Sequence, residues 1–429
     1  MSGDLQQARK RSYLFRGGWF QPISWMVAIV WLALVALPAG AQSYSTLYSF
    51  SGESDGLGPE VGVTMDRGGN LYGATVTGGY LGGNCQRQLG CGLVYKLTPH
   101  GSGWTLAPLY AFMGGSDGNM PLSRVVFGPD GALYGTTQFG GTGCQQDGGC
   151  GTIYRATPPA TICRSVSCPW TETVIHRFDS SDGAVPVGDI IFDQSGNIYG
   201  TTSSGGTNNL GTVFQLNHSS GQWVLNTLLS FSYGNGGFPS SGVIFDQAGN
   251  LYGATGGGGN GYGVIYELSP SGSGWTDTTL YVFQGSADDG GDASGGLIFD
   301  AAGNLYGTTI AGGSDGQGTV FELSPSNGSW SINVLHSFTE LGGGPLLASL
   351  TFDPAGNLYG VTTTGGLNEG GNVFELTPSN GGWTYSDLYD FPEGHGSPYG
   401  TLLWNNGTLY GTTQRGGTDN LGTVFEVTP

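Results

Sequence analysis

The sequence predicts an all-β protein: a single seven-bladed β-propeller, built of four-stranded antiparallel blades, over residues 42–429. Three observations support this prediction. A short motif occurs seven times, each copy carries strand patterns in the same order, and the N-terminus supplies a strand pattern that the last copy lacks. A repeat of roughly 50 residues indicates stacked units of one architecture, because a single small sheet cannot bury its own apolar faces.

The repeated motif is Leu-Tyr-Gly or Ile-Tyr-Gly, and its first copy lies within residues 69–79. Each copy continues with a threonine two residues after the glycine and then with a Gly-Gly pair. Successive motif tyrosines are 51 to 65 residues apart. They are Tyr72, Tyr134, Tyr199, Tyr252, Tyr306, Tyr359 and Tyr410.

One copy shows the strand order clearly. Residues 242–246, 251–255, 264–268 and 275–283 are rich in β-branched and aromatic side chains, and glycine-rich or Ser-Pro turns separate them. Short apolar runs with turn signals every 8 to 12 residues or so are typical of antiparallel sheets. We therefore expect four antiparallel strands in each blade.

The last copy ends at Pro429 before a fourth run, whereas residues 46–50 near the N-terminus have the sequence of a fourth run. We expect this N-terminal strand to complete the last blade and close the ring, which protects the sheet edges from pairing with other chains. The alternative is an open solenoid, which needs distinct polar caps and leaves the N-terminal strand without a role.

Residues 1–41 differ from the rest of the chain. Arg9, Lys10, Arg11 and Arg16 precede an uncharged apolar run, and Ala39-Gly40-Ala41 forms an Ala-x-Ala site. This order predicts a cleaved signal peptide and a secreted or periplasmic protein; an uncleaved N-terminal anchor is the alternative. We expect no C-terminal anchor and no membrane association after cleavage.

The formal net charge is −19, and removal of residues 1–41 takes away four basic residues and one acidic residue, which changes it to −22. Nucleic acids and anionic lipids bind through Lys and Arg, so this balance disfavours both. It favours a monomer whose partners are neutral or cationic, such as a carbohydrate or another surface protein.

The six cysteines form three close pairs in the sequence: Cys85 with Cys91, Cys144 with Cys150, and Cys163 with Cys168. In an exported chain such pairs predict three local disulfides. Metal binding is the alternative, although no histidine lies near the pairs and none has the Cys-x-x-Cys spacing of a zinc site.

The order of the patterns resembles the kelch repeat of β-propellers, in which a tryptophan follows the aromatic strand. Here Gly-Asn-Leu-Tyr-Gly-Thr-Thr-x-x-Gly-Gly, followed by Gly-Thr-Val-Phe-Glu-Leu-Thr-Pro, is more similar to the bacterial GloVer repeat of exported "choice-of-anchor" tandem-repeat proteins, over residues 44–429. This resemblance implies export and a repeat fold, but it implies no established activity. The resemblance also implies a C-terminal sorting signal, but we expect none in this sequence.

The loops that lead from one blade to the next provide the candidate ligand site. They contain Asp-Gly and proline, and in a propeller they share one rim with the Gly-Gly connections. An acidic rim rich in hydroxyl groups suits a sugar or Ca²⁺, whereas the alternative is that Asp-Gly and Pro only form turns. The predicted ligand-binding residues are Asp55, Asp117, Asp182, Asp288, Asp289 and His395.

Other polar positions are expected to be structural. His176 and His336 align with tyrosines in four of the other copies and with Leu229 in one, so we expect them to pack. The aspartates that open the first hairpin of a blade are expected to form Asx-turns. They are Asp66, Asp193, Asp246, Asp300 and Asp353.

The sequence contains no phosphate loop, no His-Glu-x-x-His and no nucleophile elbow in a strand-turn-helix context. We therefore expect an exported, non-catalytic scaffold without a cofactor, which binds an extracellular carbohydrate or surface protein at the rim. The alternative is a polysaccharide hydrolase or lyase that uses rim carboxylates, with Ca²⁺ as a further component.

Overall fold

The structure is a computed structural model, and it describes residues 42–429 except 53, 81–84, 86–88, 145–147, 161–169, 220, 273, 340–343 and 345–347. Gln42–Pro429 is one compact unit. The described residues form strands and turns, and none belongs to a helix that could span a membrane. The predicted signal peptide at residues 1–41 and the Cys163–Cys168 pair lie outside the described residues.

The described strands are arranged as seven antiparallel sheets, which are the blades of a β-propeller. The first strand is β1 (Ser43–Ser49). Blade 1 contains β2 (Thr64–Met65), β3 (Leu71–Thr75), β4 (Leu93–His100) and β5 (Gly103–Ala111). Blade 2 contains β6 (Asn119–Pro121), β7 (Val126–Phe127), β8 (Leu133–Phe139), β9 (Thr152–Thr157) and β10 (Thr171–Arg177). Blade 3 contains β11 (Ala184–Phe192), β12 (Ile198–Ser204), β13 (Thr212–Ser219) and β14 (Gln222–Ser230).

The remaining blades follow in chain order. Blade 4 contains β15 (Ile244–Phe245), β16 (Leu251–Ala254), β17 (Val264–Ser271) and β18 (Gly274–Val282). Blade 5 contains β19 (Ile298–Phe299), β20 (Leu305–Thr309), β21 (Thr319–Ser326) and β22 (Ser329–Ser337). Blade 6 contains β23 (Thr351–Phe352), β24 (Leu358–Thr362), β25 (Asn372–Ser379) and β26 (Gly382–Asp390). Blade 7 contains β27 (Leu403–Asn405), β28 (Thr408–Thr413) and β29 (Thr423–Thr428), with β1 beside β29.

The N-terminal strand closes the ring, as the sequence predicts. β1 pairs antiparallel with β29, from Ser43 opposite Thr428 to Ser49 opposite Thr423. A buried apolar cluster joins blade 7 to blade 1, where Phe50 and Val424 pack with Leu71. The other six blade junctions also have a buried cluster each. The propeller core is therefore a set of seven inter-blade layers rather than one central core.

The innermost strands differ from the sequence prediction in blades 2 and 3. In blade 2 the innermost strand is in two pieces, β6 and β7, which both pair with β8 and give a sheet of five strands. In blade 3 one strand, β11, covers both segments, with a register shift between Val187 and Ile191. In blade 1 the segment equivalent to β6 makes only an isolated bridge, from Leu57 to Thr77.

The motif glycine makes room for an aromatic side chain within its own blade. In blade 4, a Cβ atom added to Gly253 would overlap the hydroxyl of Tyr266 in the neighbouring strand. The motif tyrosine instead packs on the next blade: the rings of Tyr252 and Phe299 lie edge to face, with centroids 5.0 Å apart. In each Tyr-Gly pair the tyrosine therefore packs on the next blade. The glycine, which has no side chain, leaves room for the aromatic residue on the third strand of its own blade.

The first-hairpin aspartates form the predicted Asx-turns. Asp66 Oδ1 accepts hydrogen bonds from the amides of Gly68 (2.8 Å) and Asn70 (2.9 Å), and Oδ2 accepts from Tyr72 Oη at 3.0 Å. Burial raises the pKa of Asp66, but hydrogen bonds from Asn70 and Tyr72 outweigh it, so the pKa lies below its usual value. The same contacts occur at Asp193, Asp246, Asp300 and Asp353.

Two of the predicted disulfides are present, Cys85–Cys91 and Cys144–Cys150. Their Cα atoms are 5.1 Å and 5.2 Å apart, within the usual range for a disulfide. Each closes the connection between the second and third strands of its blade, and disulfides of this kind are typical of proteins outside the reducing cytosol.

Candidate functional site

Four of the predicted rim aspartates bind the loop that carries them. Asp55 Oδ2 accepts hydrogen bonds from Tyr48 Oη and from the Ser51 amide, both at 2.9 Å, and Oδ1 accepts from Ser51 Oγ at 2.9 Å. Asp289 makes the equivalent contacts with Tyr281 (3.1 Å), Gln284 and Ser286. These carboxylates therefore tie the outermost strand of one blade to the loop that starts the next.

The other two of these four aspartates, Asp117 and Asp182, show the same arrangement with one substitution. Asp117 Oδ2 accepts from Tyr110 Oη at 2.9 Å and from the Met113 amide at 3.0 Å. In the following copy His176 replaces the tyrosine, and its Nε2 lies 2.9 Å from Asp182 Oδ2. The turn amides explain why the repeat uses aspartate here, since a carboxylate accepts several hydrogen bonds at once.

The two remaining rim residues have exposed side chains. Asp288 lies beside the buried Asp289, and its backbone amide donates to Ser286 Oγ at 3.3 Å. His395 lies in the loop before the innermost strand of blade 7, and its side chain is exposed. Nothing in the described residues gathers the six predicted rim residues into a single pocket.

The two histidines expected to pack do so. His176 contacts Phe178 edge to face, with ring centroids 4.8 Å apart. His336 stacks on Tyr385, with centroids 4.1 Å apart and ring planes 10° from parallel. Burial lowers the pKa of His336 to about 4, so its imidazole is neutral near neutral pH.

A cavity of about 830 Å³ lies where the innermost strands of all seven blades meet. This is the central channel of the propeller, and its volume falls within the range of ~300 to 1,000 Å³ that is common for small-molecule sites. Its walls come from the segments 60–62, 122–124, 187–191, 240–244, 294–298, 348–352 and 399–404.

In the middle of the channel the wall positions carry mostly small residues. At equivalent positions the seven blades place Gly62, Arg124, Asp189, Gly242, Gly296, Ser349 and Thr401. A Cβ atom added to Gly242 would overlap the carbonyl oxygen of Asp189 in the neighbouring blade. Adjacent innermost strands therefore approach one another too closely for larger residues at several of these positions.

Arg124 and Asp189 are the two charged residues at these positions, and they pair across blades 2 and 3. Arg124 Nε and a terminal guanidinium nitrogen each lie 2.9 Å from Asp189 Oδ2. The Arg124 amide also donates to Asp189 Oδ1, at 3.0 Å. Their side chains are 28% and 30% exposed, so the pair faces the channel and keeps contact with solvent.

The rim end of the channel carries further polar side chains. Gln414 Nε2 donates to Glu60 Oε1 at 2.7 Å, across blades 7 and 1. Burial raises the pKa of the neighbouring Tyr399, and the charge of Glu60 adds to this rise while Arg415 opposes it. Gln138, near the end of β8, lines the cavity as well. The opposite part is apolar, with walls that include Ile191, Ile244, Ile298, Phe352 and Trp404.

Sequence reasoning did not select Arg124 and Asp189, although an alignment of the seven copies carries the signal. The position holds glycine, serine or threonine in five copies and opposite charges in two consecutive ones. A charged pair in neighbouring repeats, at a position where the others are small, indicates a feature that the repeat does not need for folding alone.

Among the described residues, no group of three or more His, Cys, Asp and Glu side chains has an arrangement that could hold a metal ion. The channel itself offers hydrogen-bond donors and acceptors above an apolar floor.

The sequence pattern of the Gloeobacter/Verrucomicrobia repeat matches residues 80–291, 149–351 and 260–429. The chain belongs to this family of repeat proteins. A search of curated proteins gave no match.

Several solved structures are similar in fold. The extracellular domain of a protein assigned as a one-component system in B. thetaiotaomicron has a TM-score of 0.51 and 14% identity, over 90% of this chain and 42% of that one. A Dyadobacter fermentans protein of unknown function has a TM-score of 0.43 and 10% identity, over 90% and 97% of the two chains. A PQQ-bound aldose sugar dehydrogenase from Streptomyces coelicolor has a TM-score of 0.43 and 13% identity, over 73% and 94%.

Proposed function

We propose that this protein is an exported, non-catalytic scaffold that binds a neutral carbohydrate at the rim end of its central channel. The observation that carries the proposal is the channel itself: a cavity of about 830 Å³ with an Arg124–Asp189 pair, Glu60 and Tyr399 in its wall. A sugar presents several hydroxyl groups that both donate and accept hydrogen bonds. A carboxylate beside a guanidinium offers acceptors and donors in one place.

The charge of the chain supports a neutral ligand. The formal net charge is −19, so an anionic ligand is repelled, while a neutral sugar meets no such penalty. The apolar floor supports a ligand that has both polar edges and an apolar face, which a sugar ring provides. Export is proposed from the apolar leader pattern in residues 1–41, and the two disulfides are compatible with it.

The rim residues Asp288 and His395 remain part of the proposal as exposed side chains in the loops that lead into blades 5 and 7. The rim aspartates Asp55, Asp117, Asp182 and Asp289 act in this proposal as supports, because their carboxylates already hold the loops. The proposed binding residues are thus those that line the channel, with the exposed rim residues around them.

The proposal is tested by a glycan array combined with a reducing-sugar release assay on the purified protein. The key variant is Arg124→Gly/Asp189→Gly, because glycine stands at the equivalent position in blades 1, 4 and 5. Asp288→Asn and His395→Gln are the matched rim variants. We expect glycan binding without sugar release, and loss of binding in the double-glycine variant.

Other outcomes would contradict parts of the proposal. Binding that survives in the double-glycine variant and is lost in the rim variants would place the site outside the channel. Release of reducing sugar by the wild-type protein would instead support a hydrolase or lyase.

A further inference from the structure

Blade 4 departs from the repeat at the rim, in the connection between β16 and β17. Each of the other copies places two residues with side chains between the motif threonine and its Gly-Gly pair, for example Gln138 and Phe139 in blade 2. Blade 4 places Gly256 and Gly257 there, which makes four consecutive glycines. This part of the rim therefore lacks two side chains that every other blade has.

Phe238 lies against this connection with its backbone in the left-handed region, at a φ of 54°. Its amide donates to the carbonyl oxygen of Leu210 (2.8 Å), and its own carbonyl oxygen accepts from the Gly256 amide (3.2 Å). These two bonds fix a conformation that glycine adopts without strain and bulky residues adopt rarely. Gly58 occupies the equivalent place in blade 1.

Packing in the core does not explain a phenylalanine at this place. The equivalent residues of blades 2 and 3 contact the interior: Met120 is buried, and Val185 packs against an apolar cluster. Phe238 is instead 46% exposed. A bulky, exposed side chain on a strained backbone points to a role other than folding.

Asp292 occupies the equivalent place in blade 5, and its carboxylate reaches the same glycine connection. A Cβ atom added to Gly256 would be 2.5 Å from Asp292 Oδ1. One added to Gly257 would be 3.0 Å from Cδ2 of the Phe238 ring. The carboxylate and the ring therefore lie beside adjacent glycines of blade 4.

One carboxylate oxygen of Asp292 is available to a ligand. Ser294 Oγ donates to Oδ1 at 2.8 Å, whereas no donor among the described residues reaches Oδ2. Burial raises the pKa of this carboxyl and the Ser294 hydrogen bond opposes that rise, so another donor would stabilise the charged form. Ser294 lines the central cavity, as does Ser240, two residues after Phe238. The carboxylate and the ring are thus at the rim end of the channel.

Tyr262 supplies a second exposed ring next to Asp292. Its carbonyl oxygen accepts from the Asp292 amide at 2.8 Å, and the residue is 44% exposed. A Cβ atom added to Gly285 would overlap its ring, and one added to Gly291 would be 3.0 Å from its Cδ1. The other copies have no aromatic residue at this place, directly before the glycine that precedes the third strand. Blades 4 and 5 thus combine three departures from the repeat at one part of the rim.

We propose that Phe238, Tyr262 and Asp292, the rim platform, bind β-linked pyranose units whose hydroxyl groups are equatorial, as in glucans and xylans. These units belong to the carbohydrate of the proposed function, on which this inference rests. Equatorial hydroxyl groups leave flat faces of C–H groups, and such a face meets the negative face of an aromatic ring. The hydroxyl groups at the edge of the same sugar donate to Asp292 Oδ2. An axial hydroxyl group, as at C2 of mannose, interrupts one flat face.

The test is calorimetric titration of the purified protein with cellohexaose, xylohexaose and mannohexaose. We expect the first two to bind and mannohexaose to bind about tenfold more weakly. Phe238→Gly should weaken the binding of cellohexaose about tenfold, because the stacking ring is lost. It should leave the unfolding midpoint within about 2 °C, since glycine suits this backbone conformation. Val185→Gly, the same change at the equivalent place in blade 3, should leave the affinity unchanged.

Two further variants separate the carboxylate from the general effect of an exposed ring. Asp292→Asn keeps the shape and tolerates the left-handed backbone, but it removes the charge that strengthens the hydrogen bond, so affinity should fall about fivefold. Tyr80→Ala, at an exposed rim tyrosine of blade 1, should have no effect on binding.

The outcomes distinguish the rim platform from the proposed function. Wild-type affinity for cellohexaose in Phe238→Gly would overturn the platform and leave carbohydrate binding in place. Equal affinity for mannohexaose, or binding on the glycan array only to other neutral sugars, would overturn the predicted sugar class alone. An absence of binding to every neutral glycan would overturn both proposals. Binding of tetramethylammonium chloride in place of any sugar, lost in Phe238→Gly, would identify a cationic ligand instead.

Discussion

Tyr44 of the N-terminal strand stacks on Tyr389 of blade 6, with ring centroids 3.8 Å apart and planes 5° from parallel. Tyr44 also meets Phe391 edge to face, at 5.7 Å. β1 is thus hydrogen-bonded to blade 7 through β29 and packed by its aromatic ring on blade 6. The strand that closes the ring therefore contacts two blades.

Removal of this strand should destabilise the whole ring. Deletion of residues 42–52 exposes the edge of β29 and removes Phe50, which is completely buried. We expect a clear fall in the unfolding midpoint, measured by calorimetry. Tyr44→Ala alone should cost about 2 kcal/mol, since a partly buried aromatic side chain and its stacking partner are lost. Tyr80→Ala, at a tyrosine that is 51% exposed, is the control.

The motif glycine of blade 4 should not tolerate even one added methyl group. In Gly253→Ala the new Cβ overlaps the hydroxyl and ring of Tyr266, whose side chain is fully buried. We expect a loss of about 1 to 3 kcal/mol in the free energy of unfolding, measured by denaturant titration.

Gly274→Ala is the matched control for this prediction. Gly274 begins the outermost strand of the same blade, and an added Cβ there meets no atom within 4 Å. Its effect should stay within about 0.5 kcal/mol. Equal losses in the two variants would show that strand propensity, rather than the aromatic neighbour, determines the choice of glycine.

His336 should make the stability depend on pH. Burial lowers its pKa from 6.5 to about 4 in the folded protein, so the unfolded chain binds a proton more readily between these values. The stabilising contribution of the neutral imidazole is complete above pH 6.5 and is lost as the pH falls toward 4.

The variant His336→Tyr removes this dependence, and tyrosine already occupies the position in blades 1, 4 and 6. The stability difference between variant and wild type should grow as the pH falls from 6.5 to 4, in denaturant titrations at several pH values. A constant difference across this range would contradict the prediction.

The repeat made most of the fold predictable, since each copy of Leu-Tyr-Gly marks one blade. The glycine predicted close packing beside aromatics, and Gly253 lies against Tyr266. The displaced strand predicted closure, and β1 pairs with β29. The division of the innermost strand of blade 2 into β6 and β7 was not predictable. The segment equivalent to β6 makes only an isolated bridge in blade 1, whereas β6 pairs with β8 as a short strand.

The candidate site was harder to predict, because an aspartate in a loop can either bind a ligand or hold the turn itself. Asp55 and its equivalents have the composition of a ligand site, but the sequence does not reveal that Tyr48 and the turn amides already use the carboxylate. Conversely, Arg124 and Asp189 are 65 positions apart, and only the packing of blade 2 against blade 3 brings them within 2.9 Å. Departures from the repeat, rather than its shared residues, mark the candidate site.

The Arg124–Asp189 pair should show strong mutual dependence. Arg124→Gly leaves Asp189 in the channel without its guanidinium, and Asp189→Gly leaves Arg124 without its carboxylate. Each single variant should lose about 1 kcal/mol in the free energy of unfolding, because the pair is partly exposed and water screens the remaining charge. The double variant should lose less than the two single losses together, with a coupling of about 0.5 to 2 kcal/mol.

Denaturant titrations of all four proteins give this coupling energy. Arg155 and Asp130, a pair at 2.6 Å on the hairpin side of blade 2, provide a matched cycle away from the channel. If the channel pair binds a sugar, saturating ligand should increase the coupling of Arg124 with Asp189 and leave that of the hairpin pair unchanged. Equal behaviour of the two pairs would mean that the channel pair only stabilises the junction of blades 2 and 3.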